Sequence, residues 1–544
     1  MRHIFSCEIF FVESRSIITN FGLIIDANFS HMIRPIMPKT DRPSALITLF
    51  GDTAERGQAA PAGLRDRLCA ALRSAIHSGA LIAGERLPSS RLLAADLNLS
   101  RITVEAAYAQ TEAEGYLYRQ TGKGTFVSAS LPRPAAPRKQ AIIAVSPPRL
   151  SARGQTILAT GGCRDPQFPL AFAAGSPDLR AFPLKTWKQL TARQLRVHGE
   201  RLLGYGDPQG YLPLREAIAS YLQQSRGVVC SAEQILITTS SQQALQLLAM
   251  LLIDPADCVW LEQPGYPGAR NAFASAGADI CAVAVDGEGI APAANLPVPR
   301  LMYLTPSHHY PTGVSLSLPR RLHLLDYAKR HGSWIIEDDY DSELHYDGRP
   351  LPAMQGLDKY QQVIYLGTFS KVLFPSLRLA YAVLPPALVG PMVTMRTVND
   401  GHSSQLMQAV TAEFMQTGHF AAHLRFSRQL YHSRRDHLLE HIKQKISWLT
   451  PQVAAGGLQL AARLPAGQES HLSKLAAHAG VETPRLSPLF LDVPGSAARH
   501  QDGWLLGFSA LTPAEITAAV NRLASINVAV TSPAAAAATT PPAR

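Results

Sequence analysis

Lys371 stands just beyond Val363-Ile364-Tyr365-Leu366, a run of residues typical of a buried strand. It closes the string Gly367-Thr368-Phe369-Ser370-Lys371, and Arg378 follows seven residues later. A lysine amine set among hydroxyl groups and a cation can form an imine with an aldehyde cofactor whose phosphate those neighbours hold. The pattern therefore predicts pyridoxal phosphate on Lys371, with Thr368, Ser370 and Arg378 around its phosphate.

Three further stretches offer the other groups that this cofactor needs. Asp338 follows the apolar run Trp334-Ile335-Ile336 and is predicted to keep the pyridine nitrogen protonated, while Tyr340 is predicted to donate to the ring hydroxyl. A strand followed by a helix is predicted around residue 240, where free backbone N–H groups favour a phosphate. The additional predicted cofactor-binding residues are Asp338, Tyr340, Ser240, Ser241, Gln242 and Tyr266, the last stacking on the ring.

Each of these signals has an ordinary explanation when it is taken alone. A lysine after a strand is usually a solvated loop residue, and the acidic stretch 337–343 could be a solvated turn or a metal site. Tyr266 alone would be ordinary packing. Their joint occurrence in one predicted α/β domain is what favours the cofactor.

A second group of residues, 61–128, has the pattern of a DNA-binding winged helix. Leu64, Leu68, Leu72 and Ile76 recur every four positions and predict a helix, and two serine-capped helices should follow at Arg91 and Arg101. Gly122-Lys123-Gly124 would form the tip of a two-stranded wing. The third helix is expected to enter the major groove by its N-terminal end. The predicted DNA-binding residues are Ser90, Arg91, Ser100, Arg101, Thr103 and Lys123. Small units of this pattern also serve for docking or dimerisation, so the pattern by itself leaves that alternative open.

Composition restricts the class of protein. The chain has 544 residues, a formal net charge of +10, 46% hydrophobic residues and 17% charged residues, which indicates globular domains and excludes wholesale disorder. Its six cysteines are dispersed without metal-ligand spacing, so we expect a reducing, cytoplasmic setting and no metal site. No apolar run reaches the roughly 18 residues of a membrane span.

The chain is predicted to have five parts. Residues 1–45 match neither module and are expected to be a disordered or misassigned N-terminal extension. The winged helix occupies 61–128, a basic, proline-rich linker 129–164, and the cofactor domain 165–528, in which apolar strands alternate with helices as in a parallel sheet covered on both faces. Residues 529–544 are expected to be a disordered tail.

Two families share these residues. Gly84-Glu85-Arg86-Leu87-Pro88-Ser89-Ser90-Arg91, Leu99-Ser100-Arg101, Glu114-Gly115-Tyr116-Leu117 and Gly122 to Val127 resemble the DNA-binding domain of GntR-type repressors. Leu203 to Gly210, Thr305-Pro306-Ser307-His308, Ile336 to Glu343 and Gly367 to Lys371 resemble fold-type-I aminotransferases. The combination resembles the MocR group of transcriptional regulators. The resemblance implies an α+β winged helix-turn-helix domain, followed by an α/β fold-type-I domain with a small C-terminal α+β subdomain.

The resemblance also implies a function. Members of the group look like homodimers that bind operator DNA and sense pyridoxal phosphate, an amine or an amino acid, so we expect a regulator and not an enzyme. The chain departs from the pattern at Thr111, where leucine is usual, and at His309 and Tyr310. It also lacks, in Gly503 to Phe508, the arginine with which aminotransferases commonly hold a substrate carboxylate. An active aminotransferase that carries a DNA-binding domain, and a repressor whose second domain only dimerises, are the alternatives.

Overall fold

The computed structural model describes residues 50, 63–129, 149–162, 171–348, 351–491 and 501–526. The chain divides into two compact units, Met1–Pro147 and Pro148–Arg544. The expected N-terminal extension, most of the linker and the C-terminal tail lie outside the described residues. No helix among those that are described is long and apolar enough to cross a membrane.

The first unit is a winged helix-turn-helix, as its sequence predicts. Its elements are α1 (Leu64–His77), α2 (Ser90–Asp96), α3 (Arg101–Ala113), β1 (Leu117–Gln120) and β2 (Gly124–Val127). The Ser89 and Ser100 side chains cap α2 and α3 by accepting from backbone N–H groups of their first turns. Asn98, in the turn between them, has the left-handed φ of 51° that asparagine tolerates.

Thr111, one of the departures from the family pattern, is fully buried in α3. Its hydroxyl donates to the Ala107 carbonyl at 2.8 Å, so the buried polar group is satisfied within its own helix. The neighbouring core consists mainly of α1 and α3 residues such as Leu68, Leu72 and Val104. Threonine therefore fits this site without leaving a polar group unpaired.

The second unit is built on an eight-stranded sheet. The strands are β3 (Ile235–Thr238), β4 (Cys258–Gln263), β5 (Asp279–Asp286), β6 (Gly289–Ile290), β7 (Leu301–Leu304), β8 (Trp334–Asp339), β9 (Val363–Thr368) and β10 (Ala380–Val383). Their order is β3-β10-β9-β8-β7-β4-β5-β6. The neighbouring pairs from β9 to β5 are parallel, whereas β10 runs antiparallel to both β9 and β3, and the short β6 is antiparallel to β5.

Helices cover both faces of this sheet, because its strands are apolar on both sides. The helices of this unit are α4 (Ala152–Ala159), α5 (Leu184–Leu203), α6 (Leu212–Arg226), α7 (Ser241–Leu252), α8 (Pro267–Ala276), α9 (Leu318–His331), α10 (Met354–Leu357), α11 (Pro386–Asn399), α12 (Gln405–Gln416) and α13 (His419–Lys445). Of these, α4 forms within the stretch expected to be a linker and has no buried residue, so it does not cover the sheet. Leu236, Ile336 and Leu366 pack against α7 and α8 on one face. Ile235, Ile237 and Tyr365 belong to the core on the other face.

A small α+β subdomain completes the second unit, as the family resemblance implies. Its antiparallel strands are β11 (Thr450–Pro451), β12 (Gln459–Arg463) and β13 (Gly503–Gly507), and its helices are α14 (Glu469–His478) and α15 (Pro513–Ala524). The expected fold class is confirmed: a winged helix followed by an α/β domain with a small α+β subdomain.

Candidate functional site

The residues predicted to hold the phosphate meet at one edge of the sheet. Thr238 at the end of β3 and Thr368 at the end of β9 are both paired with Ala380, the first residue of β10. Because β10 runs antiparallel, its beginning lies at the carboxyl ends of the other two strands. Ser240 and Ser370 follow Thr238 and Thr368 by two residues, and Arg378 precedes Ala380 by two residues. The strand register thus brings three distant parts of the sequence to one place.

The groups at this edge are those that bind an anion. Ser240 caps α7 by accepting from the Gln243 N–H, and Ser241 is the first residue of the helix, so the free N–H groups of its first turn lie here. Gln242 donates to the Gly268 carbonyl at 2.9 Å and thereby ties α7 to α8. Thr368 is buried with its hydroxyl accepting from the Ser370 N–H, while Arg378 is exposed.

Lys371 is held beside the strand ends by a residue far away in the sequence. Its Nζ donates to the Gly175 carbonyl at 3.0 Å. Gly175 has a φ of +73°, and a Cβ there would come within 3.1 Å of that Nζ. Glycine is therefore favoured by the backbone conformation, and a larger residue would crowd the amine.

Asp338 presents a buried oxygen that has no partner. Its Oδ2 accepts from the Tyr303 hydroxyl at 2.7 Å, whereas its Oδ1 is buried and makes no hydrogen bond. Burial raises the pKa of Asp338 to about 7, while the Tyr303 hydrogen bond and the charge of Lys371 act in the opposite direction. An unsatisfied buried carboxylate oxygen is costly, so a protonated ring nitrogen is a chemically fitting partner. The residues present therefore fit pyridoxal phosphate.

Aromatic side chains enclose the space next to Asp338. The rings of Tyr266 and Tyr340 each lie edge-on to that of Tyr310, at centroid distances of 5.7 Å and 6.1 Å. The Tyr340 hydroxyl is 3.4 Å from His308 Nδ1, which also bonds Asp341 at 2.9 Å. Burial raises the pKa of Tyr340 well above its usual value, so its hydroxyl stays a donor. This is the protonation state that a donor to a ring oxygen needs.

The acidic stretch 337–343 is not a solvated turn. Several of its carboxylates are already bonded within the protein and are not free to ligate an ion. Asp339 accepts from Arg226 at 2.9 Å and from the Tyr365 hydroxyl at 2.6 Å, on the face opposite Asp338. Glu337 accepts from the backbone N–H groups of Met354 and Gln355. Within the described residues, no group of three or more histidine, cysteine or acidic side chains is arranged to hold a metal ion.

His309 and Tyr310, the two residues near the site that depart from the family pattern, have different surroundings. His309 is buried, with its ring nitrogens within hydrogen-bond distance of Thr312 and of the Pro264 carbonyl, and burial lowers its pKa to about 3. Tyr310 lies against an apolar cluster that includes Leu505 of β13. No residue of β13 is cationic, so this strand offers a carboxylate no ion pair.

The predicted DNA-binding residues lie around α2, α3 and the wing. Arg91, Ser100, Arg101 and Lys123 are exposed, as a surface that meets DNA requires, and Thr103 is half-buried. Ser100 Oγ bonds the Thr103 hydroxyl at 2.8 Å, so these two side chains are already paired. Ser90 is 9% exposed and donates to Glu105 at 2.5 Å, joining α2 to α3. A phosphate contact from Ser90 would have to replace that bond.

Sequence reasoning missed two residues that shape the site, Tyr303 and Gly175. Tyr303 carried a usable signal, because a tyrosine inside the apolar run Leu301 to Leu304 needs a buried partner for its hydroxyl. Gly175 carried none, since it is 196 residues from the lysine that it contacts.

Comparison with known proteins agrees with both units. Residues 64–127 match the family of bacterial regulatory proteins of the gntR type, and residues 170–523 match the aminotransferase class I and II family. The chain is 40% identical over 464 residues, 85% of this chain and 93% of the other, to the probable rhizopine catabolism regulatory protein MocR of Rhizobium meliloti. It is 31% identical to the HTH-type pyridoxine biosynthesis transcriptional regulator PdxR of Corynebacterium glutamicum, over 69% of this chain and 78% of that protein.

Solved structures resemble the second unit. The crystal structure of LysN, an alpha-aminoadipate aminotransferase from Thermus thermophilus complexed with N-(5'-phosphopyridoxyl)-L-leucine, has a TM-score of 0.60 and 30% identity. The match covers 69% of this chain and 94% of that one. A GntR-type DNA-binding unit and a fold-type-I aminotransferase unit thus follow one another in a single polypeptide, with relatives that match both. The chain therefore belongs to the MocR-type transcriptional regulators.

Proposed function

We propose that this regulator holds pyridoxal phosphate on Lys371 and that the loaded domain senses the cofactor or an amine, changing how a homodimer binds operator DNA. The observation that carries the proposal is the buried, unpartnered Oδ1 of Asp338 beside the lysine amine. Because one oxygen of Asp338 has a hydrogen-bond partner and the other has none, the carboxylate could accept a hydrogen bond from a ligand with a protonated nitrogen.

Each side chain would have a defined part in holding the cofactor. Lys371 would supply the amine for the aldehyde, Asp338 would keep the ring nitrogen protonated, and Tyr340 would donate to the ring hydroxyl. The bound cofactor would supply an electron-withdrawing ring to any amine attached to it. Thr368, Ser370, Arg378 and the first turn of α7, with Ser240, Ser241 and Gln242, would hold the phosphate, and Tyr266 would cover one face of the ring.

The first unit would read DNA with the N-terminal end of α3. Ser100 orients that end by capping the helix, and Arg101 is exposed at its first position. Arg91 and Lys123 are exposed on α2 and at the wing tip, where they can contact phosphates on either side.

A second copy of the chain would cover an exposed surface of the second unit. Tyr205 is fully exposed between two glycines at the end of α5, and Leu203 beside it is 78% exposed. Exposed large apolar side chains next to each other are typical of an interface. We propose that they lie in the contact between two copies, and sedimentation of the purified protein tests whether such a dimer forms.

The same cofactor residues would serve a working aminotransferase, which is the second candidate. We propose that turnover is not the function, because β13 has no cation with which to fix a substrate carboxylate. Sustained conversion of an amino acid and a keto acid by the loaded protein would favour the enzyme instead.

Two binding measurements test the proposal. Added pyridoxal phosphate should give the wild-type protein a visible absorption band and a borohydride-trapped adduct, and Lys371→Ala should give neither. Lys329→Ala is the matched control, because Lys329 lies over the surface ring of Tyr360 and is remote from the predicted chemistry. A wild-type protein that stays colourless and untrapped with excess cofactor would overturn the assignment of Lys371.

The second measurement is a gel-shift assay with the DNA upstream of the protein's own gene. We expect wild-type protein to shift this DNA in preference to random DNA, and Arg101→Ala to weaken the shift. Arg65→Ala is the control, since Arg65 is an exposed arginine of α1 that pairs with Asp66. Equal binding to random and upstream DNA would refute sequence-specific regulation.

A further inference from the structure

The side chains on one face of β13 are apolar, although a substrate carboxylate bound there would need a cation. In β13, Trp504 and Leu506 belong to the large core, whereas Leu505 lies on the other face of the strand with Ala461 and Leu486. Leu505 is paired in register with Ala461 of β12 and is 2% exposed. These three side chains form a closed apolar cluster, which we call the apolar wall.

The apolar wall adjoins the candidate cofactor site. Its partly buried neighbours are Ala174, Tyr310 and Leu489. Ala174 immediately precedes Gly175, whose carbonyl holds Lys371 Nζ at 3.0 Å. Tyr310 lies edge-on to both Tyr266 and Tyr340, the two aromatic residues predicted to contact the cofactor ring. A group attached to an amine at this position would therefore meet Ala174, Tyr310 and Leu489.

Nothing in the described part of this wall neutralises a carboxylate. Arg485 forms a backbone β-bridge with Trp504, but the Arg485 side chain is exposed. The residue that contributes to the apolar wall is its neighbour, Leu486. An ionised carboxylate placed against apolar side chains loses its hydration without gaining an ion pair, which disfavours binding. An apolar substituent loses nothing on entering the same space and gains by leaving water.

We propose that the effector is a primary amine that carries no carboxylate on the carbon next to nitrogen and bears a compact apolar group there. This inference rests on the proposed function, because it concerns an amine that reaches the cofactor on Lys371. The incoming amine would exchange with the lysine at the aldehyde carbon. One carbon–nitrogen double bond would form and one would break, both hydrogens of the incoming neutral amine would pass to the departing Lys371 nitrogen, and no oxidant is required.

Matched pairs of compounds test this directly. Phenethylamine is compared with L-phenylalanine, and 3-methylbutylamine with L-leucine, by titrating each into the cofactor-loaded full-length protein and following its visible band at equilibrium. We expect each amine to bind at least about tenfold more tightly than its amino acid, since tenfold corresponds to only 1.4 kcal/mol of lost solvation. Equal or tighter binding of the amino acids overturns the proposal.

Two variants locate the effect. Leu505→Arg should reverse the preference within each pair, whereas the volume-conserving Leu505→Met should leave it unchanged. If the buried arginine prevents folding, the comparison within the wild-type protein still decides. Arg270 lines a neighbouring cavity with Tyr266 and Leu489. An amino-acid preference that disappears in Arg270→Ala would place the carboxylate there and would equally refute the proposal.

The first step of the titration, the addition of pyridoxal phosphate alone, tests the proposed function separately from the proposal about the amine. If pyridoxal phosphate alone produces no band, the proposed function fails before any amine is added. If the band forms and the amino acids bind better than the amines, the proposed function stands and the apolar wall does not select the effector.

Discussion

Replacing Tyr303 with phenylalanine is expected to weaken cofactor binding by changing the proton equilibrium of Asp338. The Tyr303 hydroxyl donates to Asp338 Oδ2 at 2.7 Å, and this bond stabilises the ionised carboxylate. A hydrogen bond to a charged group contributes about 1.5–3 kcal/mol, and each pKa unit corresponds to 1.36 kcal/mol. Tyr303→Phe should therefore raise the pKa of Asp338, already about 7, by roughly one to two units.

The direction of the pH dependence follows from the charge of the ring. A protonated pyridine nitrogen pairs with the ionised carboxylate, so below the pKa of Asp338 binding must release a proton. Affinity then falls about tenfold for each pH unit. In the wild-type protein this loss should begin as the pH falls through about 7, and in Tyr303→Phe it should begin about one to two units higher.

The assay is titration of pyridoxal phosphate across pH values on either side of 7, followed by the visible band. Tyr365→Phe is the control, because its hydroxyl donates at 2.6 Å to Asp339 on the opposite face of the same strand. It should lower thermal stability and leave the pH midpoint of cofactor binding unchanged. Identical midpoints for Tyr303→Phe and wild type would show that this hydroxyl does not control Asp338, and the reasoning would be wrong.

Three other substitutions probe separate parts of the molecule. Gly175→Ala should weaken adduct formation measured by borohydride trapping, since its Cβ would lie 3.1 Å from the reactive amine; Gly332→Ala, also at positive φ but in open space, should lower stability without that effect. Asp339→Asn should reduce the free energy of unfolding in denaturant by about 3–5 kcal/mol, because it leaves Arg226 buried without its carboxylate; a loss below about 1 kcal/mol would contradict this. Arg101→Ala should reduce the slope of log affinity against log salt by about 0.9, as expected for one lost phosphate contact, and an unchanged slope would remove Arg101 from the DNA footprint.

The clustering of the candidate cofactor residues could be predicted because these residues follow apolar strands directly. Asp338, Ser240 and Lys371 each come at or within three residues of the end of a strand that the sequence marks as a continuous apolar run. In a sheet with mostly parallel strands such positions gather at one edge. Local sequence therefore sufficed to place Ser240 and Lys371, which are 131 residues apart, at the same edge.

Other features depend on long-range geometry that local sequence does not carry. Ala380-Tyr381-Ala382-Val383 looks like any buried strand, so its antiparallel direction, which brings Arg378 to the same edge of the sheet as Ser370, could not be deduced from the pattern. The Lys371–Gly175 contact has no local signal for the same reason. Ser90 shows the same limit, since a serine near a helix start predicts DNA contact, while local sequence gives no sign that its hydroxyl also joins two helices through Glu105.

The return of β10 alongside β9 makes the turn between them a closed unit. Thr368 is paired with Ala380, and the Phe369 N–H donates to the Leu379 carbonyl at 3.1 Å, so Lys371 and Arg378 belong to one loop whose two ends are joined. Lys371 is also tied to β13, because its Nζ donates to the Gly175 carbonyl and the nearby Phe172 forms a β-bridge with Gly507. A substitution in β13 can therefore reach the lysine amine through the short segment 172–175, although β13 and Lys371 are more than 130 residues apart in the sequence.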